Sequence, residues 1–112
     1  NSINVINKYA KRISHVHTKD IRSPIVKSLD KDKESFLDAV LKGAFTVPGD
    51  GTIDFKEVIE SLAKNNYEGW FIVEAEQDPA KANPLEMAKI GNKELRDCLS
   101  NSGYDIEEYK DE

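Results

Sequence analysis

Only two stretches of this sequence have the make-up of a buried β-strand, and that limits the available folds more than any other feature. Ile13-Ser14-His15-Val16-His17-Thr18 is β-rich and alternating, and Trp70-Phe71-Ile72-Val73-Glu74-Ala75 is the strongest strand signal in the chain. Both are flanked by segments with helical spacing. Ile3, Ile6, Tyr9 and Ala10 read as the end of an amphipathic helix whose start precedes Asn1. Phe36, Leu37, Val40 and Leu41 form a small apolar face on a short helix that stops near Gly43. Asp54, with Glu57 three residues on, opens a helix that buries Val58, Ile59 and Leu62 and ends around Asn65-Asn66. Asn83-Pro84-Leu85-Glu86 gives the last helix its cap, its first-turn proline and its acidic third position, and this helix runs to about Ser102. Between these segments, the polar stretch from Lys19 to about Asp32 reads as loop and Pro48-Gly49-Asp50-Gly51 as a turn. Strands alternating with helices imply βα units and a parallel sheet, hence an α/β fold. Two strands alone cannot form a parallel sheet covered on both faces, so the pattern is that of the end of something larger. Residues 1–103 are expected to form these βα units, and residues 104–112 an acidic tail frayed from Asp105.

Composition narrows the function classes. Leu, Ile, Val and Phe make up 28 of 112 residues, above the roughly 20% below which a charged chain stays disordered. Sixteen basic against 21 acidic residues give a net charge of −5, which argues against electrostatic binding to nucleic acid. No apolar run approaches the roughly 18 residues of a membrane span. The single Cys98 excludes an internal disulfide and suits a reducing compartment. Asn1 carries no starting methionine, signal peptide or lipidation motif, so a cytoplasmic chain with further sequence upstream is expected.

Residues two apart on a strand share a face. Ile13, His15, His17 and Lys19 therefore point one way on the first strand; Trp70, Ile72, Glu74 and Glu76 do so on the second. Each face is apolar at its start and titratable at its C-terminal end, where sites lie in α/β sheets and barrels. An imidazole with a carboxylate suits manganese, iron, cobalt or zinc. The bland readings are a hydrogen-bonded His-x-His and a salt-bridged Glu74; matched placement of His17 and Glu74 favours function. Asp50-Gly51-Thr52-Ile53-Asp54-Phe55-Lys56-Glu57 also looks like the second half of a calcium loop, but its first and third positions would fall on Thr46 and Pro48, which are not ligands of that kind.

The runs Ser14-His15-Val16-His17-Thr18-Lys19-Asp20, Ser35-Phe36-Leu37-Asp38-Ala39-Val40 and Phe45-Thr46-Val47-Pro48-Gly49-Asp50-Gly51 resemble the myo-inosose-2 dehydratase family, as does the run from Gly69 through Glu74-Ala75-Glu76-Gln77-Asp78-Pro79 to Pro84. The resemblance extends from about Tyr9 to Gly103 and places the chain among the xylose-isomerase-like barrels. It implies a (β/α)₈ barrel of about 250 residues, of which this chain would be the last two βα units, lacking part of the active site. It implies a divalent metal, manganese or cobalt, held by four strand-end side chains, of which His17 and Glu74 match two. It implies removal of water from 2-keto-myo-inositol, a cyclic polyol ketone, to give a trihydroxycyclohexane-dione; whether glutathione assists stays open. Glu76, about 7 Å beyond Glu74 along an extended strand, and Lys19, in the same relation to His17, are the acid–base or substrate-orienting candidates, with a plain salt bridge as the alternative for each. His15 is either a partner of the metal ligand or a barrel-filling residue. The segment from Lys19 to Asp50 would be a loop over the catalytic mouth, its small helix a lid or subunit contact, with Arg22 and Asp50 as weaker candidates. A sugar isomerase or epimerase of the same fold is the alternative, and an acidic calcium-binding module the alternative from another class. Two barrel units also expose apolar faces, so association into homo-oligomers is expected.

Overall fold

The two expected strands do pair, and in parallel. β1 (Val16–Thr18) lies beside β4 (Phe71–Val73) in the register Val16↔Phe71, His17↔Ile72, Thr18↔Val73. The computed structural model describes residues 1–108; the last four residues of the acidic tail lie outside the described residues. Both strands are shorter than their β-rich segments, because only the central residues have a partner to bond. Val16 N–H donates to the Trp70 carbonyl (3.3 Å) and Glu74 N–H to the Thr18 carbonyl (3.0 Å), which carries the pairing on to Glu74. Thr18 is buried, and its hydroxyl adds a bond to the Ile72 carbonyl (2.8 Å).

The helices cover one face of this pair. α1 (Ser2–Tyr9), capped by the Asn1 side chain, packs on α4 (Phe55–Lys64), which packs on α5 (Pro84–Asn101). Asp54 caps α4 by accepting from Glu57 N–H, and Asn83 caps α5, as expected. Ile6, Leu62 and Tyr67 form one apolar cluster with Val16; Phe55, Ile59, Leu95, Cys98 and Leu99 form another with Val73. Phe71 packs against both clusters. Over the paired residues the alternation is as read: Val16, Thr18, Phe71 and Val73 face the helices, and His17 and Ile72 face away. Ile13, expected on the His17 face, packs instead into the helix-side cluster, because it lies before the strand. Val58 is only half-buried, whereas Phe55 is fully inside.

The stretch from Lys19 to Ile53 departs from expectation. β2 (Asp20–Ile21) pairs antiparallel with β3 (Phe45–Thr46), and α2 (Ser23–Ser28) opens on Pro24, so residues 20–28 are not loop. Two-residue strands show no periodicity, and a six-residue helix barely shows any. α3 (Phe36–Leu41) forms as expected behind a Ser35–Asp38 capping box, but the face it buries is that of Ala39; Phe36 and Leu37 are 61% and 62% exposed. Arg22 ties this excursion together, donating to the Gly43 carbonyl (2.9 Å), to the Thr46 hydroxyl (3.3 Å) and to Asp50. The acidic tail is also not frayed from its start. Tyr104 donates to the Tyr67 carbonyl (2.6 Å), and Tyr104 and Ile106 pack against the second apolar cluster. Among the described residues, no helix is long and apolar enough to cross a membrane.

α5 approaches β4 at Gly91, where a Cβ would lie 2.6 Å from Val73 Cγ1 and 3.0 Å from Val47 Cβ. Neither neighbour is a flexible chain end. Gly91→Val should therefore destabilise the protein by about 1–3 kcal/mol, the usual cost of overpacking a core, measured as a lower urea midpoint; an unchanged midpoint would mean that the helix can shift away freely.

A second prediction concerns Asp50. The Thr46 hydroxyl, and after it the Arg22 guanidinium, hold its carboxyl below the usual carboxylate range. Such a group contributes stability that is present above its unfolded value of about 3.9 and lost as pH falls through the lower folded value. Asp50→Asn should lower the urea midpoint at neutral pH, and its deficit should shrink toward zero as the pH falls below about 4. A deficit that stays constant down to pH 3 would show that charge is not what Asp50 contributes.

Candidate functional site

The face turned away from the helices carries a cluster of four titratable residues at the C-terminal end of the parallel pair. His17 sits in mid-β1, so its imidazole projects opposite the half-buried Val16 and the buried Thr18. Glu74 follows β4 directly, its N–H bonded to the Thr18 carbonyl. His17 Nδ1 and Glu74 Oε2 are 2.8 Å apart. Lys19 Nζ lies 3.3 Å from Glu74 Oε1 and 3.3 Å from Glu76 Oε1, bridging the two carboxylates. The four residues singled out in the sequence thus meet in one chain of contacts: His17, Glu74, Lys19, Glu76.

Its electrostatics follow from those contacts. The hydrogen bond from His17, then the hydrogen bond and charge of Lys19, hold the Glu74 carboxyl below its ordinary range. Glu74 is therefore an ionised carboxylate at neutral pH. Glu76 differs: one oxygen meets Lys19, while Oε2 is shielded from solvent and has no hydrogen-bond partner. Leaving a shielded carboxylate oxygen without a partner is costly. Lys19 Nζ also lies 5.6 Å from the centre of the Phe45 ring, placing an aromatic edge of the excursion against the cluster.

The His17 imidazole and the Glu74 carboxylate are of the donor types that first-row cations take, and here they are hydrogen-bonded to each other. The imidazole is 55% exposed and the carboxylate 36%, so both are open on the side away from the helices. Two donors are only part of a coordination sphere, and among the described residues no three His, Cys, Asp or Glu side chains converge on a metal position.

The other sequence candidates fall elsewhere. The His15 ring is exposed and lies 5.5 Å from that of His17, on the same face. Arg22 and Asp50 pair with each other rather than with the cluster. The residues that read as half a calcium loop are engaged differently: Asp50 with Arg22 and Thr46, and Asp54 with the start of α4. Cys98 is buried, which pushes its thiol up to about 11 and leaves it unreactive. Sequence reasoning missed Asp20, Thr46 and Gln77. Asp20 is fully buried, and Gln77 donates to the Thr46 hydroxyl (3.3 Å). The only sequence trace of these roles is adjacency: Asp20 follows Lys19, and Gln77 follows Glu76.

The chain is similar in sequence to known proteins. The chain is 61% identical over 93 residues to the inosose dehydratase of Clostridium tetani, an alignment covering 83% of the chain and 31% of that protein. The inosose dehydratase of Geobacillus thermodenitrificans is 54% identical over 95 residues, covering 85% of the chain and 32% of the relative. The rhizopine catabolism protein MocC of Rhizobium meliloti is 50% identical over 97 residues, covering 87% and 30%. The chain thus spans about a third of the length of the curated relatives it matches. The family model described as xylose isomerase-like TIM barrel matches residues 2–98. With parallel strands, helices on one face and polar groups at the strand ends, the chain belongs to the xylose isomerase-like TIM barrel family.

Proposed function

We propose that the full-length protein containing this chain is a hydro-lyase that removes water from 2-keto-myo-inositol, and that this chain supplies two metal ligands and an acid–base pair to it. The observation that carries the reading is the convergence of His17, Glu74, Lys19 and Glu76 at the C-terminal end of one parallel strand pair. The names of the relatives support the substrate. The relatives are about three times as long as the chain, so the remaining ligands come from strands outside it.

His17 and Glu74 would hold a divalent cation, manganese or cobalt, which when bound supplies Lewis-acid polarisation of the substrate ketone. The chain's own residues handle protons and hydroxyls. Elimination breaks a C–H bond beside the ketone, forms a C=C bond and breaks the C–O bond of the next carbon; the enol so formed tautomerises to the dione. The Glu76 carboxylate, partly exposed and held by Lys19, accepts from a substrate hydroxyl or takes the proton. The Lys19 ammonium, within reach of both carboxylates, delivers a proton to the departing hydroxyl, so that it leaves as water. Positioned acid–base groups of this kind contribute roughly 10²–10⁴-fold in rate.

In the full-length protein, His17→Ala and Glu74→Ala should each abolish both metal retention and turnover of scyllo-inosose. Metal content is read by atomic absorption after gel filtration; normal content and activity in either variant would remove that residue from the ligand set. Lys19→Ala or Glu76→Gln should lower kcat by roughly 10²-fold or more while leaving the metal in place. A wild-type protein that epimerises a ketohexose and forms no dione would instead make it a sugar epimerase.

A further inference from the structure

Lys19 is a joint of one residue between two anchored strands. On its upstream side, Thr18 is locked to β4 through its backbone and its hydroxyl. On its downstream side stands Asp20, which is fully buried. A single oxygen of Asp20, Oδ1, accepts from the backbone N–H groups of Ile21 (2.7 Å), Thr52 (2.9 Å) and Ile53 (2.9 Å). Its other oxygen has no hydrogen-bond partner. A buried carboxylate is an expensive way to tie down a turn, and the backbone around it is shaped to admit it. A Cβ on Gly51 would overlap the Asp20 carboxyl group and come within 2.6 Å of the Ile21 carbonyl.

The same element frames the far end of the cluster. Asp20 is in register with Thr46 across β2–β3, and the Thr46 hydroxyl accepts from Gln77, the neighbour of Glu76. Lys19 and Glu76, whose side chains meet at 3.3 Å, are thus each one residue from the same buried frame. We propose that Asp20 is the positioning residue of the site: by fixing the turn at residues 51–53 against β2, it sets the place of Lys19 and so of the bridge from Lys19 to Glu74 and Glu76. Only the kinetic consequence of this inference rests on the dehydratase reading.

The test uses the full-length protein with Asp20→Ala, Asp20→Asn and Gly51→Ala. Asparagine keeps an Oδ1 acceptor for the three N–H groups, whereas alanine removes it and a Gly51 methyl displaces it. Two readouts are taken: scyllo-inosose kinetics, and the rate at which N-hydroxysuccinimidyl acetate acetylates Lys19, followed by peptide mass spectrometry. Asp20→Ala and Gly51→Ala should lower kcat by about 10–100-fold, as sub-ångström to 1 Å misplacement does, with KM changed less than about threefold. Both should speed Lys19 acetylation several-fold. Asp20→Asn should stay within about threefold of wild type in both readouts, and this variant keeps the proposal open to refutation even if the alanine variants fail to fold. In a Lys19→Ala background, Asp20→Ala should add no further loss, because residues that act through one another are not additive. Additive losses, a change confined to KM, unaltered Lys19 acetylation, or an Asp20→Asn protein as impaired as Asp20→Ala would each overturn the proposal. If the wild type does not turn over scyllo-inosose, the dehydratase reading fails while the acetylation arm still judges Asp20.

Discussion

The β1–β4 pairing is the constraint on which the rest of the structure depends. It is only three residues long, yet it joins segments more than fifty residues apart and decides which side chains meet. Because the strand period is two, a slip of one residue would turn His17 toward the helices or Glu74 away from it. The register is held by burial on one face, where Val16, Phe71 and Val73 enter the apolar clusters. It is held again by the Thr18 hydroxyl on the Ile72 carbonyl. The helix-facing residues thus dictate the position of the polar residues on the opposite face, so packing and site geometry are set by the same bonds.

A second layer of order comes from the excursion between β1 and α4. Arg22 binds the end of α3, β3 and the following turn at once. Lys81 Nζ, from the loop after β4, donates to the Leu41 carbonyl (2.7 Å), and Gln77 reaches Thr46. The excursion is thus bonded within itself and to the segment after β4, and it stands as a wall beside the strand ends. Such a wall suits chemistry that relies on groups already in place, since preorganised donors need no rearrangement at the moment of reaction. It also brings Phe45 to the cluster, giving an otherwise charged site one apolar surface.

What the sequence disclosed and what it concealed divide along physical lines. The βα organisation, the caps at Asp54 and Asn83, and the faces of both strands were legible, because each rests on local periodicity or local hydrogen bonding. The meeting of Lys19 with Glu76 was legible in part, since both sit two residues beyond the His17–Glu74 pair and parallel strands keep such offsets aligned. β2, β3 and α2 were not, because each is too short to show a period and is held by tertiary bonds. The burial of Asp20 was the least legible of all. A carboxylate after a lysine reads as solvated charge, and only the folded chain shows three distant N–H groups converging on it. The exposed side of α3 was misjudged for a related reason. Phe36 and Leu37 have the spacing of a buried stripe, but Ala39 is the residue that the excursion packs inward.

The charge balance of the cluster bears on what it can bind. Two carboxylates and one ammonium leave a single net negative charge when His17 is an uncharged ligand. Lys19 stands between the carboxylates, so their mutual repulsion is relieved without filling the side occupied by His17. A divalent cation there would turn the local charge from −1 to +1. On the proposed reading, that sign suits a neutral polyol ketone that becomes electron-rich as its proton leaves, and a positive site gains most where water is excluded. A site without Lys19 would be more negative and would bind the cation more tightly, but it would lose the proton donor and some of the positive charge facing the reacting oxygen. On that reading Lys19 would trade metal affinity for chemistry, and its anchoring on both sides would then matter more than its own exposure suggests.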